Sequence, residues 1–376
     1  MVYFKRDSEW QEVHRVYRQQ FGGNNDQMKA WILHENGRLC FETTEKPVQG
    51  EGEVLIRVKA VGVCGSDIPR IYRGGAYFYP LIPGHEFAGV VAETGADVDE
   101  GLRGRRVGVF PLIPCGVCGP CRKKQYEMCR SYGYIGSRQN GSFAEYVAVP
   151  ADNLIEVPGN VSMQEAAMLE PMAVAVHAMR RVIPTPEDTV AVLGLGTIGM
   201  LLVMFLREAG IKNMLVIGNK EFQRQAVLRV GLPEECFCDS RMQNAEEWLL
   251  NRTKGAGADV VFECVGRNDT YAQAIRLTAP KGRICLIGNP FSDMMLKRDV
   301  YWKILRNQIT VTGSWNSTFT HEPEDDWHYI LERLQQKRVA PGQLISHRFS
   351  LENLEQGLHI MRDKTEDYIK VMVSAS

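Results

Sequence analysis

The sequence predicts an α/β chain of two domains, a barrel-like antiparallel β domain and a doubly wound parallel-sheet domain inserted into it. Three observations predict this. At 376 residues the chain exceeds the length at which a single hydrophobic core keeps growing. From Met28 to about Val176, short apolar strand patterns alternate with Gly, Pro and Asp turns, as an antiparallel barrel requires. Near residue 189 the rhythm changes to apolar strands separated by helical periods, which implies βαβ units and a parallel sheet.

In chain order, residues 1–27 stand apart. The polar stretch Glu9 to Gln20 reads as a surface helix, and Gly22-Gly23-Asn24-Asn25-Asp26 as a turn-rich linker. A native extension and an upstream start or cloning remnant fit it equally, so the segment is assigned no function. The β domain is expected over residues 28–177, with strands at Met28 to Leu33, Val54 to Ala60, Phe87 to Val91, Arg106 to Phe110 and Phe143 to Val149. The parallel sheet is expected over 178–313, with strands at Val190 to Leu193, Leu215 to Ile217, Val260 to Phe262, Ile284 to Ile287 and Ile309 to Val311. Residues 314–376 are expected to rejoin the β domain through a helix from Asp325 to Lys337 and a closing strand from Ile369 to Val373.

Lys and Arg total 44 against 45 Asp and Glu. That balance leaves no electrostatic footprint for nucleic acid or an anionic membrane. No apolar run approaches a membrane span, and the N-terminus lacks the apolar core of a signal peptide. A cytoplasmic protein with neither nucleic-acid nor membrane partners is expected.

Cys115, Cys118, Cys121 and Cys129 lie within fifteen residues, with Gly116 and Gly119 letting the backbone fold back. Four thiolates so spaced can close a tetrahedron around one Zn²⁺, leaving no open position, so that ion is structural. A disulfide pair is the alternative. Cys40, Cys236, Cys238, Cys264 and Cys285 read as reduced core residues. A second centre is suggested by distant pieces: Cys64 after a strand, His85 after a Pro turn, and Glu170 in an apolar helical stretch. One thiolate, one imidazole and one carboxylate leave a fourth position for water or a substrate oxygen, and zinc there would be a Lewis acid. Taken singly, each of the three is more often structural than a ligand. Two Zn²⁺ per chain are therefore expected.

Gly194, Gly196 and Gly199 follow the strand Thr189 to Leu193 and open an apolar helix. That context makes the glycine pattern a dinucleotide-binding turn rather than a plain structural one. The next strand ends Gly218-Asn219-Lys220, with Arg224 one turn on, where an acidic residue would mark NAD. The absent carboxylate and the two cations favour NADP. Alternatively, Lys220 and Arg224 form a solvated face and Asn219 serves NAD. The cofactor set is Gly194, Gly196, Thr197, Ile198, Gly199, Gly218, Asn219, Lys220, Arg224 and Val265.

The segments Cys64-Gly-Ser-Asp, Gly84-His-Glu, the four-cysteine lobe, Gly141-Ser-Phe-Ala-Glu-Tyr and the glycine turn occur in one order over Met28 to Ser376. In this the chain resembles the zinc-dependent medium-chain dehydrogenases. Glu170-Pro171 at the third ligand resembles their polyol-dehydrogenase branch, where alcohol dehydrogenases usually have Cys. Ile135-Gly-Ser-Arg, Gly75-Ala-Tyr-Phe-Tyr-Pro and Thr312-Gly-Ser-Trp are most like the members acting on sugar-alcohol phosphates. The resemblance implies a GroES-like β-barrel catalytic domain and a Rossmann domain. It implies Cys64, His85 and Glu170 as zinc ligands and Glu86 as an alternative ligand or water-holder. It further implies Ser66 as the start of a proton relay, and Asp67 as the partner orienting His85. Two departures stand out: Gly218 replaces the usual Asp, and Arg70 replaces the Tyr of sorbitol dehydrogenases.

Arg70 is expected to contact a substrate phosphate, with Arg73 and Arg138 as weaker candidates and Trp315 as a cleft wall. The bland alternatives are arginines paired with surface carboxylates and a core Trp. The expected reaction is oxidation of a polyol, such as a sugar-alcohol phosphate, to a ketose with NAD(P), by a homodimer or homotetramer. The alternatives are a sorbitol-, xylitol- or threonine-type dehydrogenase on an unphosphorylated substrate, and a redox-silent nucleotide-binding protein.

Overall fold

The computed structural model describes residues 27–375; the helix expected at Glu9 to Gln20 lies outside them. Two large sheets organise the chain. The first has seven strands built about Glu53–Val63, an eleven-residue strand that pairs antiparallel with Glu86–Thr94, Tyr146–Pro150 and Lys370–Ser374. Its alternating Val, Leu and Ile side chains are fully buried, which is what holds a central strand in register.

The register decides where the chemistry falls. Gly62 stands opposite Glu86, and Val63 stands opposite Val371. Val63 is followed by Cys64, Glu86 is preceded by His85, and Val371 is preceded by Lys370. One edge of this sheet therefore gathers a thiol, an imidazole, a carboxylate and an ammonium. Gly62 is the residue that permits it, since a Cβ there would lie 2.3 Å from Glu86 Oε2 and 2.7 Å from Lys370 Cε.

The second sheet has six parallel strands in the order Phe237–Asp239, Asn213–Gly218, Thr189–Leu193, Ala258–Glu263, Thr278–Leu286, Thr310–Gly313. Counted from Thr189, this is the doubly wound order 3-2-1-4-5-6. The order reverses between Thr189–Leu193 and Ala258–Glu263, where such sheets open a ligand crevice at their carboxyl ends. Gly194 and Cys264 sit at that point.

The helix Leu169–Val182 joins the two sheets and is buried along most of its length, with Glu170 in its first turn. Its sequence is nearly free of charge until Arg180, as a helix packed on all sides must be. The closing segment returns as expected, with Ile345–Ser350 and Lys370–Ser374 completing the seven-stranded sheet. The expected helix at Asp325 to Lys337 forms over Asp326–Gln335, its N-terminus capped by the Asp325 carboxylate accepting from His328 N–H.

Candidate active site

The sulfurs of Cys115, Cys118, Cys121 and Cys129 all lie within 4.8 Å of one another. Cys118 and Cys121 are 3.4 Å apart, and all four thiols are free. Backbone N–H groups of Arg130 and Cys121 draw the Cys118 thiol down to about 6, while burial pushes Cys121 up to about 12. Crowded sulfurs that cannot all ionise alone fit a divalent cation, which would stabilise every thiolate together.

The second cluster brings Cys64, His85 and Glu86 within the same 4.8 Å. Glu86, the sequence's alternative ligand, thus stands inside this set, while Glu170 stands beside it. Glu170 is 7% exposed, and its Oε1 accepts from the Tyr134 hydroxyl at 3.2 Å. Burial pushes its carboxyl up to about 7; Glu86 adds to this, and His85 and Lys370 oppose it. Tyr134 stays protonated and donating, because burial and the neighbouring Glu170 hold its hydroxyl well above the usual range. The donors present, one soft thiolate, an imidazole and carboxylates, suit zinc with a position left open.

Charge is balanced around these groups by Lys370, which no local motif marks, and by Asp67 of the Cys64-Gly-Ser-Asp segment. Lys370 is 1% exposed; its ammonium ion-pairs with Glu86 and donates to the Val63 carbonyl at 3.0 Å. The only sequence signal was a lysine inside the apolar run Ile369 to Val373. Asp67 is fully buried, 3.5 Å from His85 Nδ1 and 3.0 Å from Arg70 Nη1, and it accepts from Cys64 N–H. Burial alone would raise the Asp67 carboxyl, but His85 and Arg70 outweigh it and the net shift is downward. For His85, burial would lower the imidazole, yet Asp67 and Cys64 carry it well above its ordinary value. Ser66 Oγ donates to Cys64 Sγ at 3.3 Å.

Arg70, expected to reach a substrate phosphate, is instead turned onto Asp67 and the Ser66 carbonyl, with its side chain 15% exposed. Asp67 and Arg70 are three apart on the helix Asp67–Tyr72 and share a face. A buried carboxylate claims the nearest cation. Arg73 is exposed just past the end of this helix. Arg138 is exposed and lies between two tyrosine rings. Trp315 is 54% exposed, which rules out a core role.

At the parallel sheet's crevice, the helix Thr197–Glu208 starts just after Gly196. Gly199 is required there, because a Cβ would fall 1.9 Å from the Gly194 carbonyl oxygen. The loop after Ala258–Glu263 closes the opposite wall. Val265 lies against Gly194, and the buried Glu263 carboxylate accepts from Val265 N–H, Gly266 N–H and the Thr270 hydroxyl at 2.8–3.0 Å. Glu263 was missed in the sequence; its one signal was an acid ending an otherwise apolar strand. Ile198 is partly buried against the core. Gly218 leaves no room for the usual acid, since a Cβ would meet Gln223 Oε1 at 2.7 Å and Phe237 at 2.9 Å. Asn219 N–H donates to Gln223. Lys220 is paired with Asp367, and Arg224 with Glu221 and Glu234.

One chain segment touches both centres. The Thr197 hydroxyl, at the glycine turn, donates to the Ile369 carbonyl at 2.5 Å, and the next residue, Lys370, holds Glu86. The contacts to the dinucleotide turn and to the candidate metal centre are thus made by consecutive residues at the start of the closing strand.

Comparison with known proteins agrees with this architecture. Residues 50–159 match the alcohol dehydrogenase GroES-like domain, and residues 197–336 match the zinc-binding dehydrogenase domain. Galactitol 1-phosphate 5-dehydrogenase of Escherichia coli K12 is 30% identical over 332 residues, covering 88% of this chain and 95% of that protein. L-idonate 5-dehydrogenase of Vitis vinifera is 32% identical over 333 residues, covering 86% and 88%. A zinc-binding dehydrogenase from Sinorhizobium meliloti 1021, crystallised with NADP, superposes with a TM-score of 0.85 at 27% identity, covering 93% and 99%.

Proposed function

The chain belongs to the zinc-binding alcohol dehydrogenase family, and from that premise we propose that it oxidises a secondary hydroxyl of a sugar-alcohol phosphate to the ketose, with NADP. The observation that carries this reading is the short segment entering the closing strand, in which Ile369 meets the dinucleotide turn and Lys370, the strand's first residue, meets Glu86. Cys64, His85 and one carboxylate of Glu86 or Glu170 would hold zinc, which would supply Lewis acidity at the substrate hydroxyl, and the glycine turn would hold the nucleotide that serves as hydride acceptor.

The chain's own residues do the rest. Ser66, two residues past Cys64, takes the hydroxyl proton outward. Asp67 fixes the His85 ring through Nδ1, and Arg70 keeps Asp67 charged. Lys370 restrains Glu86, so the two carboxylates of the centre differ: one is held by an ammonium, the other by a phenol. Glu263 fixes the loop that bears Val265 against the glycine turn.

The nucleotide preference rests on charge. Gly218 brings no carboxylate to repel a 2′-phosphate. Lys220 is held by an exposed ion pair, worth about 0–1 kcal/mol, which a dianionic phosphate can displace. A second copy is proposed to cover the free edge of Thr310–Gly313, where Val311 and the neighbouring Tyr301, Trp302 and Leu305 are exposed.

The test is nucleotide reduction with galactitol 1-phosphate and with free polyols, using NADP and NAD in parallel. Turnover favouring the phosphorylated substrate and NADP is expected. Turnover confined to free polyols would replace the phosphate reading with an L-idonate- or sorbitol-type reaction.

A further inference from the structure

Arg138 has a setting that the redox chemistry leaves unexplained. Its guanidinium carbon lies 4.3 Å from the centroid of Tyr77 and 4.7 Å from that of Tyr132, and Nη2 donates to the Tyr77 hydroxyl at 3.3 Å. Among the described residues no carboxylate pairs with it, whereas Arg70 beside the centre is paired with Asp67. The two rings hold the guanidinium in place, and apart from the Nη2 donation to Tyr77 its N–H groups have no protein acceptor among the described residues, which leaves them for a forked acceptor.

The position is tied to the metal centre through one wall of rings. Tyr132 packs edge-on against Tyr134 at 6.3 Å, and Tyr134 edge-on against His85 at 5.7 Å. The turn that carries Arg138 is stiff. Ser137, Arg138 and Gln139 all donate their N–H groups to the Tyr134 carbonyl, at 3.2, 2.8 and 3.1 Å. Gly136 lies so close to Gly84 that a Cβ would fall 2.3 Å from the Gly84 oxygen, one residue before His85. The guanidinium is thus held at a set distance from the candidate ligands, two rings out along the wall.

We propose that Arg138, clamped between Tyr77 and Tyr132, is the receptor for the anionic end of the substrate, a phosphomonoester at the far end of a polyol chain. This rests on the polyol dehydrogenase reading above and names the residue that selects among polyols. An extended polyol that presents an inner hydroxyl to the Cys64–His85 centre carries its terminal phosphate away from that centre. Arg70, spent on Asp67 beside the centre, is too close and already neutralised. Arg138 presents an unpaired fork farther out, suited to two hydrogen bonds with phosphate oxygens.

The test compares the zinc-loaded wild type with Arg138→Gln, Arg138→Lys and Arg70→Gln. Binding of galactitol 1-phosphate and of galactitol is read by calorimetry in the presence of NADP, and turnover is measured separately. Arg138→Gln should weaken galactitol 1-phosphate binding by about ten- to a hundredfold, and leave galactitol binding and the nucleotide KM unchanged. Arg138→Lys should recover only part of the loss. Inorganic phosphate should compete with the phosphorylated substrate in the wild type and not in Arg138→Gln. Equal binding by wild type and Arg138→Gln, or a loss confined to Arg70→Gln, would overturn the proposal. A wild type that binds both polyols equally would also overturn it, even with turnover intact. Tight, Arg138-dependent binding without turnover would leave the receptor standing and remove the dehydrogenase reading instead.

Discussion

The two cysteine-bearing centres are built on opposite plans. The lobe from Cys115 to Cys129 takes four like donors from one short segment and needs only a cation to balance them. The centre at Cys64 takes unlike donors from separate segments and surrounds them with Lys370, Asp67, Arg70 and Tyr134. A closed set of four thiolates leaves an ion nothing to do but hold the fold. An open set must keep a position free, so its charge is balanced from behind by the Lys370 ammonium and the Arg70 guanidinium, which cannot ligate the ion. On the proposed reading, that division separates structure from chemistry.

The sharpest way to break the contrast is to remove one ligand from each centre. Cys64→Ser should lower zinc content by one per chain and reduce turnover by about a thousandfold or more, with thermal stability nearly unchanged. Cys121→Ser should also lose one zinc, but its signature is structural: loss of hydrogen-exchange protection around Cys115 to Cys129 and a lower melting temperature. Equal stability losses in the two variants would erase the distinction.

Next in size is the ammonium behind the open centre. Lys370→Met leaves Glu86 buried without its partner and should destabilise the fold by about 3–5 kcal/mol, read by denaturant unfolding. Adding Glu86→Gln should recover part of that loss, as a coupled pair requires. Additive losses would show that the pair does not act as one unit.

A smaller effect is expected at the cofactor wall. Glu263→Ala frees the Val265–Gly266 loop and should raise the nucleotide KM about tenfold, with a lesser change in kcat. Smallest is Tyr134→Phe, which removes one hydrogen bond to Glu170 and should cost about 1 kcal/mol of stability.

How far the sequence was legible follows the same division. The four-cysteine lobe and the glycine turn are local: spacing marks the first, and the preceding strand and following helix mark the second. Five of the six parallel strands were legible from their apolar runs; Phe237–Asp239, three residues long and ending in a carboxylate, was not, and the strand order came from the fold. The closing strand ran one residue later than expected, Lys370–Ser374. What spacing could not reveal were pairings across hundreds of residues. Lys370 meets Glu86 only because the register of three strands puts them at one edge. Arg70 had the right chemistry for a phosphate, but the burial of Asp67 beside it, invisible in the sequence, decides its partner. Lys220 and Arg224 likewise looked free until the fold brought Asp367 and Glu234 to them.

The most direct measurement is polyol-dependent nucleotide reduction by metal-free protein during stepwise addition of zinc, with Cys64→Ser in parallel. Turnover should stay near zero through the first equivalent, which the four thiolates take, and rise only with the second, never in Cys64→Ser. Full turnover at one zinc per chain, or turnover retained in Cys64→Ser, would contradict a catalytic role for the open centre.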